Sequence, residues 1–407
     1  MLSNSEKMLA SLDHGDLAHA DKYFERALVQ DDQSTLLELA EYLESIGFYP
    51  QAKRAYQLLE NDFPEVKLSL AQIAAEDGDI EEAFLYLDGI DSASPDYVTA
   101  LLVMADLYDA EGLTDVAREK LLEAHSLSDE SLITFALAEI EYNLEHYTES
   151  VALYATLDNR EILETTGVST YQRIGRAYAS LGKFEAAIEF LEKAAEIEYE
   201  DQTVFELACI LYEQENYQRA NTYFKQLETL NPDFEGYEYA YALSLHAEHE
   251  TEQALRLAQQ GLTKNEFSQP LLLLASQLSY ETHKPEAAES YLRKALSVAE
   301  DDEEVLLRLT NLYLEQERYE EIVELANDDI DHILTRWNIA KAYQEMELDE
   351  ALTAYEALEV DLGANPDFLK EYIYVLREFG YQDKARELAF RYRQLVPDDL
   401  EMADDWE

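Results

Sequence analysis

One small residue returns along this chain at an almost constant interval. It stands at Ala20, Ala52, Ala83, Ala117, Ser150, Ala187, Ala220, Ala254, Ala288, Ile322, Ala351 and Ala385. Successive members lie 31 to 34 residues apart, except for 37 from Ser150 to Ala187 and 29 from Ile322 to Ala351. A segment this short cannot bury a core of its own, so each copy must stack on its neighbours. The 407 residues are therefore not the two or three independent domains that length alone suggests. They are a line of stacked units with a thin continuous core.

Within each unit, two apolar-periodic segments of about a dozen residues flank a tight turn. In the sixth, Tyr171, Ile174, Gly175, Tyr178 and Leu181 follow the spacing of one helical face. Phe184, Ala187, Ile188, Leu191 and Ala194 repeat it after Gly182. Such spacing predicts two amphipathic helices. A small residue on each, such as Gly175 facing Ala187, lets the two backbones approach, and Tyr178 and Leu191 fill the space beside them. Pro64, Pro95, Pro232 and Pro397 close several units, because proline cannot continue a helix. Only 12 Gly and 8 Pro occur, with abundant Ala, Leu and Glu, a composition that favours helix.

This pattern resembles the tetratricopeptide repeat. The sixth unit carries Tyr171, Ile174, Gly175, Tyr178, Gly182, Ala187, Leu191 and Ala194 at that family's positions; the seventh carries Ala208, Tyr217, Ala220, Phe224 and Pro232. The likeness covers nearly the whole chain. Units five, eight, ten and eleven depart from it by lacking the turn glycine. The resemblance implies an all-α fold, a right-handed superhelical solenoid of about twelve helix-turn-helix repeats. Their expected bounds are 1–32, 33–63, 64–97, 98–130, 131–167, 168–200, 201–234, 235–268, 269–302, 303–332, 333–365 and 366–397, followed by an acidic tail, 398–407. Part of the large tyrosine count, 29, falls at family core positions: Tyr56, Tyr108, Tyr178, Tyr313 and Tyr343.

Charge narrows the partners. Against 30 basic residues stand 88 acidic ones, a formal net of −58. Such a surface repels nucleic-acid phosphates and anionic lipid headgroups. It serves solubility, and it attracts basic partners within a Debye length of roughly 8 Å at physiological salt. Residues 1–16 have no basic n-region and no long apolar run, so no signal peptide is expected. The longest apolar cluster, Leu271 to Ala275, is far short of a membrane span. With Cys209 alone, no internal disulfide forms. A cytoplasmic protein is expected, with no membrane insertion.

No catalytic constellation emerges. Phosphate-binding glycine loops and the His-Glu-x-x-His pattern are missing. Carboxylate pairs are too abundant for any one to signify acid–base chemistry. His246 and His249, with Glu248 and Glu250 beside them, have the side-chain types of a zinc site, but a solvated polar turn explains them more simply. Cys209 has no neighbouring cation in sequence to activate it and reads as a packed cysteine. The run Asp301 to Glu304 suits a helix N-terminus, where negative charge meets the helix dipole. The chain is therefore expected to be no enzyme, with no cofactor and no metal.

If the resemblance holds, the first helix of each unit lines the concave face, and its fifth, ninth and twelfth positions meet a ligand. Counting from the family's small residue gives three zones. Glu41, Glu44, Asp106, Asp109 and Glu139, with Tyr142, form an acidic wall. Phe205, Tyr212, Tyr239, Leu243 and Tyr280 form an aromatic middle. Trp337, Lys341, Lys370 and Arg377 gather at the C-terminal end. The Lys–Asn–Arg clamp with which some family members hold a C-terminal carboxylate is not matched, since units six to eight offer Gln172, Arg176, Cys209 and Leu243. The expected function is a scaffold that binds a protein or peptide segment, basic in character. The alternative is a peptide-sensing module that acts through a change in solenoid shape, though no output domain is evident at either end. Residues 398–407, with six acids and Trp406, are expected to be a solvating tail or a short partner-binding segment.

Overall fold

The computed structural model describes residues 2–299, 302–327 and 329–397. All regular structure among them is helical. The expected tail, 398–407, and Asp301 of the acidic run lie outside the described residues. No described helix is long and apolar enough to cross a membrane.

Residues 1–203 form one compact unit. Its helices pair as antiparallel hairpins: α1 (Asn4–Asp13) with α2 (Leu17–Gln30), α3 (Gln33–Ser45) with α4 (Tyr49–Leu59), α5 (Val66–Glu76) with α6 (Ile80–Asp88), α7 (Tyr97–Ala110) with α8 (Thr114–Leu127) and α9 (Ser131–Asn143) with α10 (Tyr147–Tyr154). A short additional helix, α11 (Asn159–Thr166), precedes the hairpin of α12 (Thr170–Ser180) and α13 (Phe184–Ile197). It accounts for the long 37-residue interval.

Residues 204–407 form the second unit. The boundary falls inside α14 (Asp201–Glu213), which is followed by α15 (Tyr217–Leu230). Then come α16 (Tyr237–Ala247) with α17 (Thr251–Lys264), α18 (Gln269–Glu281) with α19 (Pro285–Leu296), α20 (Glu303–Glu315) with α21 (Tyr319–Leu325), α22 (Ile333–Glu345) with α23 (Glu350–Leu362) and α24 (Pro366–Glu378) with α25 (Gln382–Leu395). The 29-residue interval follows α21, which is cut to 7 residues.

Local chemistry sets where these helices begin and end. Asp16, Asp32 and Asp79 accept from the backbone N–H three residues on, at 3.2, 3.1 and 3.0 Å, which satisfies donors that a helix start leaves open. Every hairpin reverses through one residue in the left-handed region, φ between 55° and 82°. These are Gly15, Gly47, Gly78, Gly112, Glu145 and Gly182 in the first unit, and Glu215, His249, His283, Glu317, Glu347 and Gly380 in the second. The turn is the same with or without glycine. Lys183 N–H donates to the Tyr178 carbonyl at 2.9 Å, and Asn216 N–H to the Leu211 carbonyl at 2.8 Å, the bond that closes a Schellman-type cap. The sequence pattern singled out four units without a turn glycine. The structure adds the seventh and ninth, where Glu215 and His283 hold the position.

Every member of the periodic small series is buried. Ser150 fits because its hydroxyl donates to the Ala138 carbonyl of the facing helix at 2.9 Å. Gly175 marks a close helix crossing: a Cβ placed there would lie 2.7 Å from Leu191 Cγ and 3.3 Å from the Ala187 carbonyl oxygen. Cross-repeat bonds sort the helices of each unit into two layers. Second helices link to second helices, as in Arg54–Glu25 (2.7 Å), Lys53–Glu82 (2.5 Å) and Lys384–Glu359 (3.0 Å), while Arg318, at the turn before α21, reaches Glu289 of α19 (2.6 Å) and Lys294 of α19 reaches Glu266 just past α17 (2.9 Å). First helices link to first helices, as in Arg173–Glu139 (2.7 Å) and His246–Glu281 (2.7 Å). Much of the scarce positive charge is thus engaged within the protein.

Candidate functional site

The faces of the first helices carry the residues expected from sequence, and the two units differ in what they present. In the first, Glu41 on α3 and Asp106 on α7 are exposed, and Glu44, Asp109, Glu139 and Tyr142 are half-buried. Some of these carboxylates are held from beneath. Tyr56, four residues after Ala52 and fully buried, donates its hydroxyl to Glu44 at 2.6 Å. Tyr154, four after Ser150, donates likewise to Glu139, which also takes Arg173 at 2.7 Å. Burial and the facing carboxylate push both phenols well above the usual tyrosine range, so each acts as a donor. Asp109 accepts from Thr114 Oγ1 at 2.8 Å. Asp106, exposed as a residue, has its carboxyl raised by partial desolvation among the neighbouring protein atoms and by the like charge of Asp109. Tyr142 stands edge-on to Tyr147, centroids 5.2 Å apart.

In the second unit the aromatic residues divide. Phe205 is a packing residue, against Phe234 at 5.3 Å and Phe224 at 6.2 Å. Tyr212 is half-buried and packs on Tyr217 at 5.7 Å. Tyr239 and Tyr280 stay open, 37% and 48% exposed, and Tyr280 donates its hydroxyl to Glu315 of the next first helix at 2.5 Å. Trp337 packs edge-on against Phe368 and donates to Glu371 Oε2 at 2.7 Å. Lys341 lies 4.0 Å over the Trp337 ring and 3.1 Å from Glu371, so this expected inward cation is neutralised within the protein. Buried Tyr355, again four residues after the small landmark, donates to Glu371 at 3.1 Å. Lys370 and Arg377 are half-buried on α24, and each has a partner.

Two clefts open on the first-helix face of this unit. One is lined by Tyr239, Leu243, Gln269, Pro270, Leu273, Leu274, Gln277, Glu304 and Arg308. The other, about 280 Å³, has Ser276, Ala288, Leu292 and Leu312 on its floor and Gln277, Tyr280, Arg308, Asn311 and Glu315 at its rim. Arg308, between them, pairs with Glu304 at 2.6 Å. His246 faces Glu281, and His249 sits in the left-handed turn. Among the described residues no three His, Cys, Asp or Glu side chains converge as a metal set. Burial, with Glu213 and Glu206 nearby, pushes the Cys209 thiol up to about 12, far from thiolate chemistry at neutral pH.

Sequence counting missed Arg173, Arg308 and Glu371, which each follow a counted fifth position, and Glu281 and Glu315, which follow twelfth positions. The offset has a cause. Helical side chains lean toward the N-terminus, so a given surface spot is covered by a residue about one position further along. Counting by Cα position alone passes over them.

Stacked antiparallel helical hairpins of about 34 residues, each built on a small-residue crossing, define a helical repeat protein of the tetratricopeptide class. Patterns described as YpiA-like tetratricopeptide repeats match residues 110–162, and those described as YpiA-like C-terminal repeats match 334–399. General tetratricopeptide patterns match 37–98 and 168–201. The TPR repeat-containing protein YpiA of Bacillus subtilis is 30% identical over 311 residues, 75% of this chain and 73% of that protein. The chain belongs to the YpiA-like family of tetratricopeptide repeat proteins. Among solved structures, a tetratricopeptide repeat protein from Parabacteroides merdae aligns at 18% identity and a TM-score of 0.42, over 61% of this chain and 98% of that one. YrrB, described as a TPR protein with an unusual peptide-binding site, aligns at 18% identity and 0.37, over 44% of this chain and 95% of that one.

Proposed function

We propose that this protein is a non-enzymatic scaffold whose first-helix faces hold a segment of a protein partner, and that the segment is basic. The observation that carries the reading is the distribution of charge. The chain has a formal net of −58, and cations such as Lys53, Arg54, Lys294 and Arg318 are paired with carboxylates on or beside second helices. Carboxylates at Glu41 and Asp106 remain exposed on first helices. Glu44 is fixed in place by the buried Tyr56 hydroxyl, so it meets a cation with little ordering left to do. Tyr239 and Tyr280 supply open aromatic area for anchoring. A basic segment would be steered by the acidic field and retained by the aromatic contacts. Such a scaffold would work in the cytoplasm.

The test is affinity capture from cytosol at low salt with the full chain, repeated with Tyr239→Ala and Tyr280→Ala together. The expected result is a basic partner that is weakened by several-fold higher salt and lost with the double substitution. A partner retained equally at high salt and by the double variant overturns the reading.

A further inference from the structure

We propose that the cleft between α18 and α20 is an arginine-side-chain pocket, the anchor point for the segment this protein binds. The inference rests on the basic-segment reading above and makes it specific to one residue type and one place.

The pocket has the shape and the chemistry of a single long cationic side chain. Its floor, Ser276, Ala288, Leu292 and Leu312, is almost wholly buried, and three of these four are apolar. Its volume of about 280 Å³ is enough for one long side chain. Such a floor takes the methylene stem of an arginine, which buries along apolar surface while its head stays at a polar rim.

The rim supplies the receiver for that head. Glu315 Oε2 takes the Tyr280 hydroxyl at 2.5 Å. This bond crosses from one first helix to the next and fixes the carboxylate at the pocket mouth. Among the described residues Oε1 has no hydrogen-bond partner, which leaves it available for a second, charge-assisted bond. The Tyr280 ring beside it is 48% exposed and offers a face on which a planar guanidinium stacks. Lysine, a compact charge without a plane, gains less from both. The side-chain amides of Gln277 and Asn311 also stand at the rim.

Arg308, the cation within the lining, does not occupy the receiver. Its Nη2 lies 2.6 Å from Glu304 and its Nη1 3.4 Å from the Leu273 carbonyl. It stands seven residues before Glu315 on α20, about 10 Å along the helix. Glu281, one residue after Tyr280, adds negative charge and is tied to His246 and Gln277. The pocket thus has a cationic end already paired and an anionic end with capacity left.

The test uses the full chain and a fluorescein-labelled Gly/Ser peptide carrying three arginines, with lysine and citrulline versions of the same peptide, read by anisotropy. Glu315→Gln is compared with Glu324→Gln, an exposed α21 glutamate outside the pocket, so that net charge is matched. The expected result is a roughly tenfold weaker arginine peptide for Glu315→Gln and less than about twofold for Glu324→Gln. Arginine is expected to bind more tightly than lysine, and citrulline weakly. Equal losses in the two variants, or equal binding of arginine and lysine peptides, overturns the pocket and leaves the basic-segment reading standing. No binding of either cationic peptide to the unsubstituted chain at low salt overturns both.

Discussion

Gly175 offers the sharpest test of how the hairpins are held together. A methyl group there would sit 2.7 Å from Leu191 Cγ and 2.9 Å from its Cδ2. Leu191 is fully buried, so it has no open space to swing into. Overpacking of this kind costs about 1–3 kcal/mol, and replacing a mid-helix glycine with alanine returns about 1 kcal/mol. Gly175→Ala alone is therefore expected to loosen the α12–α13 hairpin by about 1 kcal/mol. Leu191→Ala alone should cost about 2–5 kcal/mol through lost burial and a cavity. In that second background the obstructing side chain is gone, and Gly175→Ala should become neutral or stabilising, with the Ala187 carbonyl at 3.3 Å trimming the gain. The sign change gives a coupling of about 1–3 kcal/mol between the two sites. Long repeat arrays need not unfold in one cooperative step, so the assay is native-state hydrogen exchange of α12 and α13 amides in the four proteins. An identical effect of Gly175→Ala in both backgrounds would refute the close-crossing account.

Other expectations follow from the turns and from one ion-pair cluster. Glu215 holds a left-handed backbone that costs a non-glycine residue about 1–2 kcal/mol, and glycine's greater chain freedom takes back about 0.5–1 kcal/mol. Glu215→Gly should raise local stability by about 0.5–1 kcal/mol and Gly182→Ala should lower it; amide-exchange protection of the flanking helices that moves the opposite way contradicts this. Glu289 is held by Arg318, and further by Arg293 and the Tyr313 hydroxyl, which bring its carboxyl from 4.5 down to about 2 against the opposing effect of burial. Its stabilising contribution is full above about 4.5 and is lost as pH falls toward about 2. The stability gap between the unsubstituted protein and Glu289→Gln, read from amide exchange of α19 and α20, should therefore shrink across that range. A gap independent of pH speaks against the cluster. Tyr56→Phe removes the donor beneath Glu44 and should raise the exchange rate of α4 amides while leaving α8 amides unchanged.

Much of the fold was legible because it is built from periodicity. The small series from Ala20 to Ala385 lies buried at helix crossings throughout, and even its weakest members, Ser150 and Ile322, fit: one by bonding the facing backbone, the other by packing. The added helix α11 was not legible beyond a long interval, since Asn159–Thr166 is a short segment with one buried residue. Two turns without glycine were passed over because Glu215 and His283 carry no local sign of a left-handed backbone; the surrounding cap bonds impose it. On the first-helix face, counting identified open residues such as Tyr239 and Tyr280 but not their commitments. Lys341 reads as a free cation until Glu371, 30 residues away in the sequence, is placed against it. Partners between successive first helices are set by stacking, and no single repeat contains that information.

The central claim is that the first helices, and not the second, present the working surface. Carbodiimide labelling of carboxylates across the full chain, with and without the arginine peptide, tests it directly. Glu41, Asp106 and Glu315 lie on first helices, and exposed Glu196 and Glu252 lie on α13 and α17. Peptide is expected to slow labelling at the first-helix carboxylates, most of all at Glu315, and to leave Glu196 and Glu252 unchanged. Protection spread evenly over both sets, or centred on the second helices, would contradict it.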